Sequence, residues 1–237
     1  MKMKSSTLAC ALLLALSSVS TAAFAQDEGA DDYKPFSATL AATTDYVWRG
    51  ISQTEEDPAF QAGATYTSKF GLYAGAWTSN VQFDTSDTNW ERDFFVGYNT
   101  NVGDKVNFDV MVNRYTYSDA SDLDWNELIT KTTFFKTYTV TLAYSNDSWA
   151  SGEDGYYAAL AGNWSLPHQF TIGASYGRSM FSDKAGIEDY SDYSVSVGKT
   201  FGPLTLSVAY IDTNKAGERV GGNNAGDRVV VTATVGL

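Results

Sequence analysis

The chain has 237 residues, 43% hydrophobic, 14% aromatic and only 19% charged, with a formal net charge of -12. Low charge with 15 Tyr, 13 Phe and 6 Trp excludes a disordered chain and favours a β-rich fold. The acid excess, with no cluster of Lys and Arg, excludes a nucleic-acid surface, which needs one to meet phosphates.

Residues 1–25 read as a signal peptide: Lys2 and Lys4, an apolar run from Leu8 to Leu16, and Ala23-Phe24-Ala25 as the cleavage pattern. Thr7 stands where a lipobox around Cys10 would need Leu, so lipidation is not expected. Export removes Cys10, and the mature chain does without disulfides. Residues 26–35, with Asp27, Glu28, Asp31 and Asp32, read as a polar periplasmic tail. The alternative for this tail is a plug folded into a barrel lumen. Beyond residue 25 no apolar stretch reaches the ~20 residues of a membrane helix, so any membrane crossing must use strands.

From Phe36 the pattern has a period of two. Phe36, Ala38, Leu40, Ala42, Thr44, Tyr46 and Trp48 alternate with Ser37, Thr39, Ala41, Thr43, Asp45, Val47 and Arg49. The period returns at 60–69, 72–83, 92–99, 106–117, 127–135, 137–145, 156–166, 169–178, 190–199, 204–212 and 228–237. Short connections, such as 68–71 and 100–105, alternate strictly with long ones, such as 50–58 and 213–227. Residues 36–237 are therefore expected to form one domain, a closed antiparallel up-and-down transmembrane β-barrel of about twelve strands. Its termini and short turns would be periplasmic and its long loops external. Aromatics assigned to the apolar face fall at both strand ends, Tyr46, Trp48, Phe60 and Phe83 among them at one and Tyr66, Tyr73 and Trp164 at the other. Ala, Leu, Val and Ile lie between. Rings at both ends fit two headgroup layers better than the core of a soluble β-sandwich, which is the alternative for such alternation.

The stretch Thr44-Asp45-Tyr46-Val47-Trp48-Arg49-Gly50-Ile51-Ser52-Gln53, followed by Pro58 and Gln61, resembles the S-D-Y-x-F/W-R-G-x-S-Q opening of the TorF-type putative porins, the Gcw-type conserved hypothetical proteins of proteobacteria. The resemblance runs on through Gly71-Leu72-Tyr73-Ala74-Gly75-Ala76-Trp77 to the last strand. It implies an outer-membrane location and suggests a porin. Thr44 departs from the usual Ser, and Leu237 stands where barrels usually end in an aromatic that the assembly machinery recognises.

By parity, the lumen candidates are Asp45, Arg49, Gln61, Asp93, Asp109, Asn113, Glu127, Lys131 and Arg178, a polar lining rather than a packed apolar core. Two readings stay open: a hydrated path with a transverse field, or charges that pair across the lumen and seal it. Arg49 either holds an anionic solute or locks Asp45 and a strand carboxylate. Glu55, Glu56, Asp57, Asp84, Asp87, Asp122, Asp124, Glu153 and Asp154 would make an acidic vestibule that concentrates cations, binds divalent ions shared with lipopolysaccharide, or is merely solvated. Asp212, Asn214 and Gly217 imitate part of an EF-hand loop, but Ala216 and Asn223 break it, leaving the glycines as turn punctuation.

The single histidine, His168, follows Pro167 in a short turn with no motif around it, so neither an enzyme nor a catalytic or metal site is expected. The expectation is a weakly cation-selective channel for passive diffusion of small hydrophilic solutes, a monomer without a cofactor. Its partners would be outer-membrane lipid and lipopolysaccharide, the barrel-assembly machinery and the solutes. The alternative is a non-conducting receptor, adhesin or envelope-structural barrel, with Trp90, Trp125 and Trp149 as loop contact anchors.

Overall fold

Residues that alternate between apolar and polar satisfy their backbone groups only when the strands pair, and a sheet that faces lipid has to close on itself. The computed structural model, which describes residues 33–84 and 86–237, shows that closure. The leader and most of the tail, up to residue 32, lie outside the described residues. Tyr33 donates its hydroxyl to the Thr67 carbonyl, and the Pro35 carbonyl accepts from the Thr67 amide, so the chain enters the barrel along the strand that contains Thr67.

The strands are β1 Phe36–Thr43, β2 Val47–Trp48, β3 Ile51–Ser52, β4 Ala59–Thr67, β5 Leu72–Asn80, β6 Trp90–Val102, β7 Val106–Tyr117, β8 Trp125–Phe134, β9 Tyr138–Ser145, β10 Gly155–Leu166, β11 Phe170–Phe181, β12 Tyr190–Phe201, β13 Leu204–Thr213 and β14 Arg228–Gly236. All but β2 and β3 form one closed antiparallel barrel, with neighbours in chain order paired, β4 following β1, and β14 returning to β1. The twelve-strand expectation holds, and the single closed sheet replaces the sandwich alternative.

Outward positions stay uncovered. Leu40, Val96, Val112, Leu128, Leu142, Leu160, Val195, Val208 and Val231 form an exposed apolar waist. Rings flank it: Phe36 meets Tyr66 and Tyr138 meets Trp164 toward the short turns, and Tyr144 meets Tyr156 toward the long loops. An uncovered apolar band of this extent needs lipid around it.

Several expectations fail here. The first strand ends at Thr43 rather than Arg49: the Thr43 hydroxyl donates to the Asp45 carbonyl, 2.9 Å, and the chain turns off the wall. The alternation in 44–49 is real, but it belongs to the arms of a small hairpin, and period alone does not separate a wall strand from a lumen strand. Tyr46 and Trp48 are accordingly buried inside, not outward at the rim. β5 stops at Asn80, leaving Phe83 in a loop against Tyr117, and Tyr73 points inward to Asp109.

The lumen is also not simply a polar lining. Tyr73, Phe95, Met111, Ile129 and Ala143 pack together inside it, and Tyr46, Trp48, Val81, Tyr115 and Trp125 form a second cluster nearer the long loops. The last long loop contains a helix, α1 Lys215–Gly221, where only turns were expected. Asn214 caps it by accepting the Gly217 amide at 3.0 Å. Asp212 meanwhile accepts from the Tyr193 hydroxyl, so the partial EF-hand pattern serves the helix and the wall.

Candidate functional site: an inward hairpin in the barrel lumen

The segment between β1 and β4 folds into the barrel. β2 and β3 pair Val47 with Ser52 and Trp48 with Ile51, leaving Arg49 and Gly50 as a two-residue tip. Both tip residues have positive φ, 47° and 81°, the requirement of a type I′ hairpin turn. Gly50 is needed for a second reason: a Cβ there would lie 2.4 Å from the Thr213 methyl and 2.8 Å from the Asp192 Cβ. The tip thus abuts β12 and β13.

Contacts of this hairpin run around the circumference. At its base the Asp45 carboxylate accepts from Ser52, 2.6 Å, and from Arg228 of β14, 2.9 Å. The Tyr46 ring packs on Trp77 of β5, and its hydroxyl reaches Glu91 of β6 at 3.4 Å. Trp48 contacts Tyr115 and Trp125, which stack on each other at 4.4 Å, and also Trp149 of a long loop. Ile51 packs with Ala216 of α1, Ala225 and Tyr190, so the helix covers the hairpin from the long-loop end.

Arg49 crosses to β8. Its Nη2 lies 2.8 Å from both Glu127 oxygens, and the guanidinium stacks 4.2 Å from the Trp48 ring and 4.0 Å from the Tyr157 ring. Tyr115 adds a hydrogen bond to Glu127 at 3.1 Å. Side chains of this pair are only 5% and 2% exposed, and those of Arg228 and Asp45 only 7% and 6%. Burying a guanidinium and a carboxylate is tolerable only when each supplies the other's charge and hydrogen bonds, as both pairs do. Of the alternatives for Arg49, the structure shows the lock, with Glu127 as its carboxylate and Asp45 held instead by Arg228.

The other candidates divide by position. Asp93 is buried and accepts from Asn113 at 3.1 Å; Asp109 is buried and accepts from Tyr73 and Asn99. Lys131 faces inward opposite Asp109, and Gln61 is half-buried opposite Ala41. Arg178 is a correction: on β11 the odd residues Thr171, Gly173, Gly177 and Ser179 point inward, so Arg178 shares the exposed face of Ile172 and Tyr176. There it pairs with Asp189 at 3.3 Å. Side chains alternate with a strict period of two, and Gly177 holds the inward place beside it.

The vestibule candidates all lie in the long loops or at their borders. Glu56, Asp57, Asp84, Asp87, Asp122 and Asp154 are exposed, while Glu55, Asp124 and Glu153 are partly covered. Asp124 pairs with Arg114 at 3.1 Å, and Glu55 accepts from Gln82 at 2.8 Å. Arg219 of α1 binds Glu188 of the 182–189 loop at 2.9 and 2.7 Å, and this hydrogen bonding holds the Glu188 carboxyl below its ordinary value. His168 is exposed in the turn between β10 and β11.

Glu91, Tyr115, Trp125, Asp192 and Arg228 were not among the lumen candidates. For Tyr115 and Trp125 the signal existed, because the parity that turns Asn113 and Glu127 inward turns these two inward as well. No local signal brings Arg228 to Asp45, 183 residues away in sequence.

A family model described as "Bacterial protein of unknown function (Gcw_chp)" matches residues 27–236. No curated protein matches the chain. Among solved structures, the KdgM porin superposes with a TM-score of 0.55 at 8% identity, covering 84% of this chain and 97% of that one. A KdgM porin in complex with disordered oligogalacturonate gives 0.54 at 9%, covering 84% and 96%. The NanC porin gives 0.53 at 10%, covering 84% and 98%. At these identities the likeness is one of fold.

Proposed function

The chain belongs to the Gcw_chp family of bacterial proteins of unknown function, and we propose that it works as a narrow outer-membrane channel for passive diffusion of small hydrophilic solutes or ions, with a preference for cations. The leader sends it out of the cytoplasm, the apolar waist sits in the outer membrane, and the termini and short turns face the periplasm. The chain needs no cofactor and acts as a monomer. Its resemblance to TorF-type porins and its porin-like fold support this reading.

One observation carries it: the barrel's inner wall is polar and small-residued along one side of the hairpin. β11 to β14 turn Thr171, Ser175, Ser179, Ser194, Ser196, Thr205 and Thr232 inward, small hydroxyl side chains of the kind that replace part of a solute's hydration. Charge supports the sign of the selectivity. Asp45, Glu91, Asp93, Asp109, Glu127 and Asp192 face Arg49, Arg228 and Lys131 among the described inward residues, and the long loops add acid at the mouth.

The buried Arg49–Glu127 pair favours a second reading, a sealed barrel whose loops serve a receptor, adhesin or envelope-structural role. Single-channel current of the refolded protein in a planar bilayer, under a potassium chloride gradient, decides between them. Discrete steps with a cation-selective reversal potential are expected. Anion selectivity overturns the charge argument, and a folded, heat-modifiable barrel that never conducts transfers the function to the loops.

A further inference from the structure

Between the hairpin and the long loops lies a cavity of about 200 Å³, lined by Tyr46, Trp48, Tyr115, Tyr117, Trp125 and Trp149, with Glu91 among its walls. Ile51 of β3 and loop residues Gln53, Phe83 and Leu123 complete it. This is smaller than the roughly 300–1,000 Å³ of pockets that take drug-sized ligands, so it suits a guest of few heavy atoms. Indole and phenol rings make up six of its eleven lining residues.

Glu91 makes the cavity more than a packing defect. The residue is 2% exposed, its Oε1 accepts the long 3.4 Å bond from Tyr46, and its other hydrogen-bond partner is the Asp93 carboxyl. No Lys or Arg forms a salt bridge with Glu91 or Asp93 among the described residues, so two hydrogen-bonded acids adjoin on one inward face. Adjoining acids held out of water share a proton rather than carry two charges, and a cation in the cavity favours their ionised form. Ring faces attract cations through their quadrupole, most strongly when water is excluded. The same site already shows the preference internally, because Trp48 carries the Arg49 guanidinium 4.2 Å from its ring centroid.

We propose that this aromatic cavity, with the Glu91 carboxylate in its wall, is a binding site for a small organic cation of the alkylammonium class. Compact inorganic ions gain less there, because they keep their hydration shell and present no apolar surface to the rings. A neutral sugar stacks on aromatic faces too, but it brings no charge to the Glu91–Asp93 pair. The site deepens the cation-preferring channel reading by naming a guest, and it rests on that reading only for its transport role.

The test is tryptophan fluorescence of the full-length barrel in detergent, titrated with tetramethylammonium chloride, with potassium chloride and methyl glucoside as parallel probes. Saturable quenching by tetramethylammonium, absent with potassium at equal ionic strength, is expected. Glu91→Gln, which keeps the shape and the Tyr46 contact, should weaken binding roughly tenfold or more. Trp149→Leu alters a loop residue outside the barrel wall and should weaken it as well, which keeps the test informative if the first variant fails to fold. Saturation by the glucoside alone overturns the cation assignment in favour of a sugar site. No saturation by any probe with the wild-type protein overturns the site altogether. Because binding is read without a bilayer, either failure is distinguishable from a barrel that does not conduct.

Discussion

The two halves of the inner wall are built on different physics. From β5 to β8 the inward positions carry bulk and charge: Tyr73, Phe95, Met111, Tyr115, Trp125, Asp93, Asn113 and Glu127. From β11 to β14 Gly, Ser and Thr predominate, with Asp192 as the acid and Tyr190, Arg228 and Val230 as the larger side chains. The hairpin explains the division. Its long side chains, Tyr46, Trp48 and Arg49, reach toward β5–β8 and demand partners, while the bare tip at Gly50 needs only room against β12 and β13. One half therefore grips the hairpin through rings and charges, and the other meets its bare tip with small side chains.

Arg49→Ala strikes the anchoring half hardest. It strands a buried Glu127 carboxylate, so barrel stability in lipid vesicles, measured by urea unfolding, should fall by about 3–5 kcal/mol. Conductance should rise as the hairpin loosens. The double variant Arg49→Ala with Glu127→Ala should recover part of the stability, because no unpaired charge remains; equal losses in the two variants would show that the pair does not hold the hairpin. Met111→Ala empties a site that is 1% exposed and should cost about 2–5 kcal/mol by the same measurement. Single-channel current should hardly change. Ser194→Trp sharpens the contrast from the other half: the current should drop while stability changes less than in Met111→Ala, and the reverse pattern would place the path on the wrong side.

Gly50→Ala tests the tip. A side chain there faces both positive φ and the Thr213 methyl, so a loss of about 1–3 kcal/mol is expected, with the hairpin displaced and current noise increased. The smallest effect concerns the loops. Since Arg219 depresses the Glu188 titration, the tether is complete above the ordinary carboxylate value of 4.5 and is lost as pH falls through the lower folded value. Hydrogen exchange of residues 186–189, corrected for intrinsic rates, should therefore rise only under acidic conditions in the wild type. In Arg219→Gln it should already be raised at neutral pH. Glu188 and Arg219 are exposed, so global stability should stay unchanged.

Much of the lumen was readable residue by residue. The parity that makes Val112 outward makes Asn113 inward, and the same rule finds Asp93, Asp109, Glu127 and Lys131. Arg178 shows how sharply the rule cuts, since a slip of one position moves a side chain from lumen to outer face. What parity does not encode is which partner a buried charge takes. Asp45 and Arg49 are four positions apart, yet each pairs with a different wall strand because one sits at the base of the hairpin and the other at its tip.

The alternation of 36–237 by itself determined the closed barrel and its strand count, because a period of two with uncovered apolar faces leaves one way to satisfy every backbone group in lipid. It also determined that aromatic rings flank an aliphatic waist. Only the tertiary structure decided that 44–58 leaves the wall, that its rings and charges meet residues from β5 to β14, and that they leave an aromatic cavity beside Glu91. The physical reason is range. Pleat and periodicity are properties of neighbouring residues, whereas the partners of a lumen hairpin are set by barrel closure, which brings together side chains as far apart in sequence as Asp45 and Arg228.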